Sequence, residues 1–173
     1  MRGPIAASAI IDEGAASTPV TLQNLDRLTQ GHYVPSTFRL FASRPEYWTR
    51  IPSVTACYLD LADRVVRTSD DGALLHFLSD QQWCAHWYVH LDGTDEGCVF
   101  VGYEPIGFDL GDEDPATPIP AVVPLDGSFE IFKCEDNFER FLYRFWVENT
   151  LWSVEQGHLA PTPETDAYVR FLA

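Results

Sequence analysis

Cys84, His86 and His90 fall on alternate positions of the run Gln82 to Leu91. If that run is a β-strand, all three project from one side of it. The two imidazoles invite a metal reading, but on a strand residues four apart stand about 13 Å from each other, too far to share one ion. Cys84 and His86, at about half that distance, could pair as thiol nucleophile and base. Neighbours on one strand face run parallel, however, and the base needs a third group to orient it. A zinc site would need two further ligands that no spacing supplies. No His-Glu-x-x-His, Gly-x-Ser-x-Gly, phosphate-binding Walker loop or glycine-rich dinucleotide turn occurs in the chain. The expectation is therefore no catalytic residue, no metal and no cofactor. A small metal- or thiol-dependent hydrolase using Cys84, His86 and acidic loop residues stays as the minor alternative.

The strand that carries these residues alternates throughout. Trp83, Ala85, Trp87, Val89 and Leu91 make an oily face, and Gln82, Cys84, His86, Tyr88 and His90 a half-polar one. Asp92 to Gly97 is rich in turn residues and predicts a hairpin returning through Cys98 to Tyr103. Ala73 to Leu78 supplies a preceding strand, and Val122-Val123 and Ser128 to Lys133 the last ones. On the other side of the chain's middle, Thr18-Pro19 caps a helix over 19–30 that Gly31 stops. A short helix with Phe38 and Phe41 inward follows. Ser43 and Glu46 offer a capping box for another turn or two bearing Tyr47, Trp48 and Ile51. Apolar residues at 54, 58, 61 and 65 favour a helix there, against the β-forming Thr55, Val65 and Val66.

The strongest helix opens at Asp136-Asn137-Phe138-Glu139, read as a capping box with Asp136 as cap. Phe138, Phe141, Leu142, Phe145, Asn149 and Trp152 trace one face of it, over about 30 Å, and should lie across the oily side of the sheet. Tyr143 and Trp146 lie off that stripe and imply burial beyond half its circumference, with an exposed aromatic contact as the alternative. Pro163 to Ala173 adds at most a final turn. The fold class is thus α+β: an antiparallel sheet of five or six strands, N-terminal helices, and a long C-terminal helix packed on one face.

The 173 residues predict one domain, 18–173, behind a loose arm, 1–17. Twenty-six acidic residues against eleven Lys plus Arg give a net charge of −15. That field repels nucleic acid and anionic membranes and attracts basic proteins, although acidity also serves plain solubility. No run approaches the roughly 20 apolar residues of a membrane span, and the four scattered cysteines read as reduced thiols. A cytoplasmic protein is expected. Between Glu104 and Pro120 the chain carries Asp109, Asp112, Glu113 and Asp114 among four prolines, a long loop of the kind that is functional or disordered.

Asp80-Gln81-Gln82, a four-residue gap and Trp87 resemble the acidic-Asn-Gln and Trp that lead into the central hairpin of the SUKH superfamily. Val34-Pro35 before a helix ending in an aromatic resembles that superfamily's segment near the N-terminus, and Phe138-x-x-Phe141-Leu142, just after Asp136 and Asn137, resembles the start of its C-terminal helix. Gln81 replaces its Asn, and Asp95-Glu96-Gly97-Cys98-Val99 lacks its Asp-Pro-Pro-Val-like turn. The resemblance spans roughly residues 21 to 152. It implies an immunity protein that neutralises a cognate toxin by direct binding. The charge would suit a basic toxin domain such as a nuclease. A regulatory or scaffold module of the same fold is the second reading. Partner contact is expected on the open sheet face, through Gln82, His86, Tyr88 and His90, and on the acidic loop, through Asp109, Asp112, Glu113 and Asp114. The competing possibility is that the N-terminal helices cover that face.

Overall fold

A computed structural model describes residues 22–48, 50–108 and 121–173. The arm and the four loop acids, Asp109, Asp112, Glu113 and Asp114, lie outside the described residues. Helices α1 (Leu22–Leu28), α2 (Ser36–Ser43) and α3 (Pro45–Trp48) come first. Strands β1 (Tyr58–Leu59), β2 (Val66–Arg67), β3 (Ala73–Ser79), β4 (His86–Leu91), β5 (Val99–Gly102) and β6 (Ile131–Glu135) follow. Helices α4 (Phe138–Glu155) and α5 (Pro163–Leu172) end the chain. The expected α+β class holds: the described strands form a six-stranded antiparallel sheet in the order β1-β3-β4-β5-β6, with β2 also paired to β3.

The core lies between the sheet and three helices. Val89 and Leu91 of β4, Leu75 and Phe77 of β3 and Val99 of β5 pack with Leu25, Phe38, Phe41, Phe138 and Phe141 in one cluster. Phe138 meets Phe38, Phe41 and Phe77 edge-on at 5.0, 5.4 and 5.4 Å between ring centres, the orientation that sets ring edges against ring faces. Trp87 is half-buried and meets Phe145 at 6.0 Å between ring centres.

Several expectations change. Residues 54–66 form no helix: the chain runs out along β3, with Asp60 N–H and Ala62 N–H donating to the carbonyls of Phe77 and His76. A strand edge needing partners outweighs a weak helical period. The strand expected from Gln82 begins at His86, because Asp80 Oδ1 accepts the N–H groups of Cys84 and Ala85 at 2.7 and 3.0 Å and closes a turn. Trp83 sits in that turn at φ +56°, on the histidine side of the sheet, where its ring meets His86. The cap of α4 is Asn137, whose side chain accepts from Arg140 N at 2.8 Å; Asp136 instead pairs with Lys133 at 2.6 Å. No Ser43 capping box forms, since the Ser43 hydroxyl donates to Leu40 O and Glu46 pairs with Arg44. Val123 contributes one parallel bridge to Thr68 rather than a strand. The tail is a full helix, α5, opened by a capping box between Thr162 and Thr165. It packs on α4, where Val147, Thr150 and Ser153 form a buried side distinct from the Phe138 stripe.

Candidate binding groove

The half-polar face of β4 is covered. His86 and Tyr88 are 0% exposed and His90 is 4% exposed. The cover is not the N-terminal helices, which share the other face with α4. Ile106, Val123, Ile131 and Phe129 pack over Tyr88, Leu74 and Phe100, so chain that follows β5, up to the start of β6, folds back across this face. Tyr88 is anchored there: its hydroxyl donates to Glu104 O and accepts from Ile106 N, and burial raises its pKa well above the ordinary phenol value. His86, Tyr88 and His90 therefore cannot meet a partner in this arrangement, which corrects the open-face expectation. Gln82, in the Asp80–Ala85 turn, stays exposed.

Beneath that cover lies a polar chain. His76 Nδ1 stands 2.6 Å from Asp60 O and its Nε2 2.9 Å from Ser79 Oγ; Ser79 Oγ stands 3.1 Å from His86 Nδ1, and His86 Nε2 3.2 Å from Trp83 O. Burial, then the neighbouring His86, pushes the His76 pKa down to about 3, and burial also lowers that of His86. Ser79, His76 and the Asp60 carbonyl have the order nucleophile, base and orienting acceptor. Ser79 is 0% exposed and His76 1%, so no substrate reaches the hydroxyl in this state. Cys84 does not join: its thiol is exposed and turns to Gln82 O. His90 belongs to a separate group with Thr68, Asp70 and Asp92. Among the described residues no three His, Cys, Asp or Glu side chains gather to hold a metal.

The surface offers something else. Between α2, α3 and the outer side of α4 runs a groove of about 380 Å³, lined by Leu40, Phe41, Tyr47, Ile51, Leu142, Tyr143 and Trp146 with Thr37 and Arg50 at its edges. Leu40, Tyr47 and Tyr143 are 45%, 44% and 50% exposed, and Trp146 is half-buried. Of the two readings of Tyr143 and Trp146, burial does not hold for Tyr143, which is exposed, and holds in part for Trp146. The adjoining surface continues over Tyr168 and Phe171 of α5, and Phe171 is 83% exposed. Large apolar side chains grouped in a concavity mark contact sites more often than solvated surface. Leu40 was legible in principle: on a helix whose inward residues are Phe38, Phe41 and Ala42, a leucine between them must face out.

The groove owes its shape to the Asp92–Gly97 turn. Asp95 receives Ser36 at the start of α2, and the carbonyl of Glu96 accepts Phe138 N–H at the start of α4, 2.9 Å away. Gly97, at φ +61°, lies against Pro35, where a Cβ would come within 2.7 Å of its ring; only glycine allows both the backbone angle and the approach. One turn thus fixes the two helices that form the groove walls. No family model matches the chain, and no curated protein or solved structure matches it either.

Proposed function

We propose that this chain is a non-catalytic binding protein of the immunity type, which neutralises a basic toxin domain by covering it. The observation that carries this reading is the exposed aromatic groove of Leu40, Tyr47, Tyr143 and Trp146 on a chain of net charge −15. Aromatic anchors in a concavity supply the slow dissociation of a tight contact, and the overall field speeds encounter with a cationic partner. The resemblance of Asp80-Gln81-Gln82 with Trp87, and of Phe138-x-x-Phe141-Leu142, supports the immunity form of this reading over a general scaffold. The groove takes over the contact role that the sheet face was expected to have.

The test uses the full chain as bait in its native host, then co-expression with the basic protein recovered. Expected is a protein that is toxic alone and tolerated with this chain, whose association slows as salt rises. Leu40→Ser and Tyr143→Ser, both at exposed positions, should leave the fold intact and speed dissociation at least tenfold, the loss of about 1.4 kcal/mol. A non-toxic partner selects the regulatory module, and equal dissociation rates for both variants and the parent chain remove the groove from the contact.

A further inference from the structure

The buried chain His76, Ser79, His86 has a carbonyl oxygen at each end. A carbonyl only accepts, so His76 carries a proton on Nδ1 for Asp60 O, and His86 one on Nε2 for Trp83 O. With both rings neutral, the remaining nitrogens, His76 Nε2 and His86 Nδ1, are bare lone pairs 2.9 and 3.1 Å from the same hydroxyl, Ser79 Oγ. A serine has one proton to give. It serves one ring, and the other nitrogen faces an oxygen lone pair. Exchanging the tautomer of His86 moves the mismatch to Trp83 O without removing it. A phenol proton from the neighbouring Tyr58 would occupy a Ser79 lone pair and supply neither ring. The chain is one proton short, and all three members are fully or almost fully buried, where an unmade hydrogen bond costs most.

We infer that His86 is a proton-binding site of the folded protein, and that its occupancy fixes the Trp83 corner. A proton taken from solvent onto His86 gives an unbroken series: His86 Nδ1–H donates to Ser79, Ser79 O–H to His76 Nε2, and His76 Nδ1–H to Asp60 O. His86 takes the charge rather than His76 because of what faces each ring. The Asp80–Ala85 turn and the segment after β5 bring the carboxylates of Asp80 and Glu104 toward His86. His76 is faced by His86 itself, by Tyr88 and Phe108, and by the backbone of Asp60 and Leu78. Tyr58 and Asp60 of the β1 segment add no positive charge. Burial opposes the charge, so uptake lies below the ordinary imidazole range.

The consequence reaches the surface through one atom. Trp83 is held at φ +56°, a conformation that costs a non-glycine residue energy and persists where its surroundings enforce it. Its carbonyl is the acceptor for His86, its ring meets His86 edge-on at 5.5 Å, and the residue is 41% exposed. Once His86 is charged, its bond to Trp83 O is charge-assisted and about twice as strong. Protonation of His86 therefore tightens an exposed tryptophan corner without moving the sheet.

Nitrogen-detected imidazole NMR of the full chain, titrated from neutral to acid pH, reads the tautomer and charge of each ring. Expected is a His76 that keeps its Nδ1–H neutral form throughout, and a His86 that becomes doubly protonated while the amide spectrum stays that of the folded protein. Ser79→Ala removes the acceptor that protonated His86 needs and should lower its titration midpoint by about one pH unit. Amide exchange at Cys84 and Ala85, corrected for its intrinsic pH dependence, should slow as His86 gains its proton. A His86 that stays neutral until the fold is lost overturns the proposal in the wild-type chain alone, whether or not the variant folds. A midpoint unchanged in a folded Ser79→Ala protein also overturns it, and unchanged exchange at Cys84 and Ala85 removes the link to Trp83.

Discussion

Asp95 Oδ1 accepts the backbone N–H of Ser36 at 2.6 Å, and its Oδ2 accepts the Ser36 hydroxyl at 2.8 Å, so the first turn of α2 is capped by a residue 59 positions away. Pro35, the local cap position, offers no side-chain acceptor. Tyr33 donates a third bond to the same carboxylate. A hairpin turn thus does for this helix what a preceding Ser or Asp does elsewhere.

Asp95→Ala should lower the melting temperature by a few degrees and weaken groove binding, although Asp95 does not line the groove. Ser36 N–H, then its hydroxyl and that of Tyr33, holds the Asp95 carboxyl below its usual range. That contribution is present above the unfolded carboxylate pKa and is lost as pH falls through the folded one. The difference in melting temperature between Asp95→Ala and the parent should therefore shrink below about pH 4. Circular dichroism melts at neutral and acid pH check it, and a constant difference would rule out the carboxylate as the cap.

Phe138→Ala should cost roughly 3 to 5 kcal/mol, because the ring is 0% exposed and fills the space between Phe38, Phe41 and Phe77. Trp87→Ala should cost less, since Trp87 is only half-buried and lines a solvent-reached hollow. Urea unfolding of both variants gives the order; a larger loss for Trp87 would place the centre of the core at β4 rather than at α4.

His76 is neutral in the folded state, its pKa pushed down to about 3 first by burial and then by His86. In the unfolded chain it titrates near 6.5. Between those values the unfolded state binds more protons, so the stability His76 contributes is complete above the unfolded pKa and declines as pH falls. The expected loss between pH 8 and pH 5 is about 2 kcal/mol. Urea midpoints across that range measure it, and a His76→Asn variant should flatten the slope. An equally steep slope in that variant would assign the effect to other groups.

Cys84 is exposed, whereas Cys57 is 1% exposed and its thiol pKa is raised by burial. A thiol-directed alkylating reagent at neutral pH should modify Cys84 within the native state and leave Cys57 until denaturant is added. Peptide mapping by mass spectrometry reads both sites; early labelling of Cys57 would mean that the 53–59 segment opens locally.

Sequence alone determined the strands β3 to β5, the hairpin between β4 and β5 and the long helix α4, because each rests on a local pattern that packing reinforces. Trp87, Val89 and Leu91 alternate in period two, Phe138, Phe141 and Phe145 recur in helical period, and Asp92 to Gly97 concentrates turn formers. Tertiary structure decided most of the rest through contacts distant in the chain, and local side-chain caps decided the remainder. The 54–66 segment gave up its helical period because β3 needed an edge partner. Trp83 left the strand because Asp80 closed a turn over it. Period two shows that the face of His86, Tyr88 and His90 is half-polar but not what folds over it; Ile106, Val123 and Ile131 come from outside the strand. Leu40, Tyr47 and Tyr143 became a groove only when Asp95 and Glu96 drew the starts of α2 and α4 to one turn, a relationship between residues some 40 to 60 positions apart that no local period can carry.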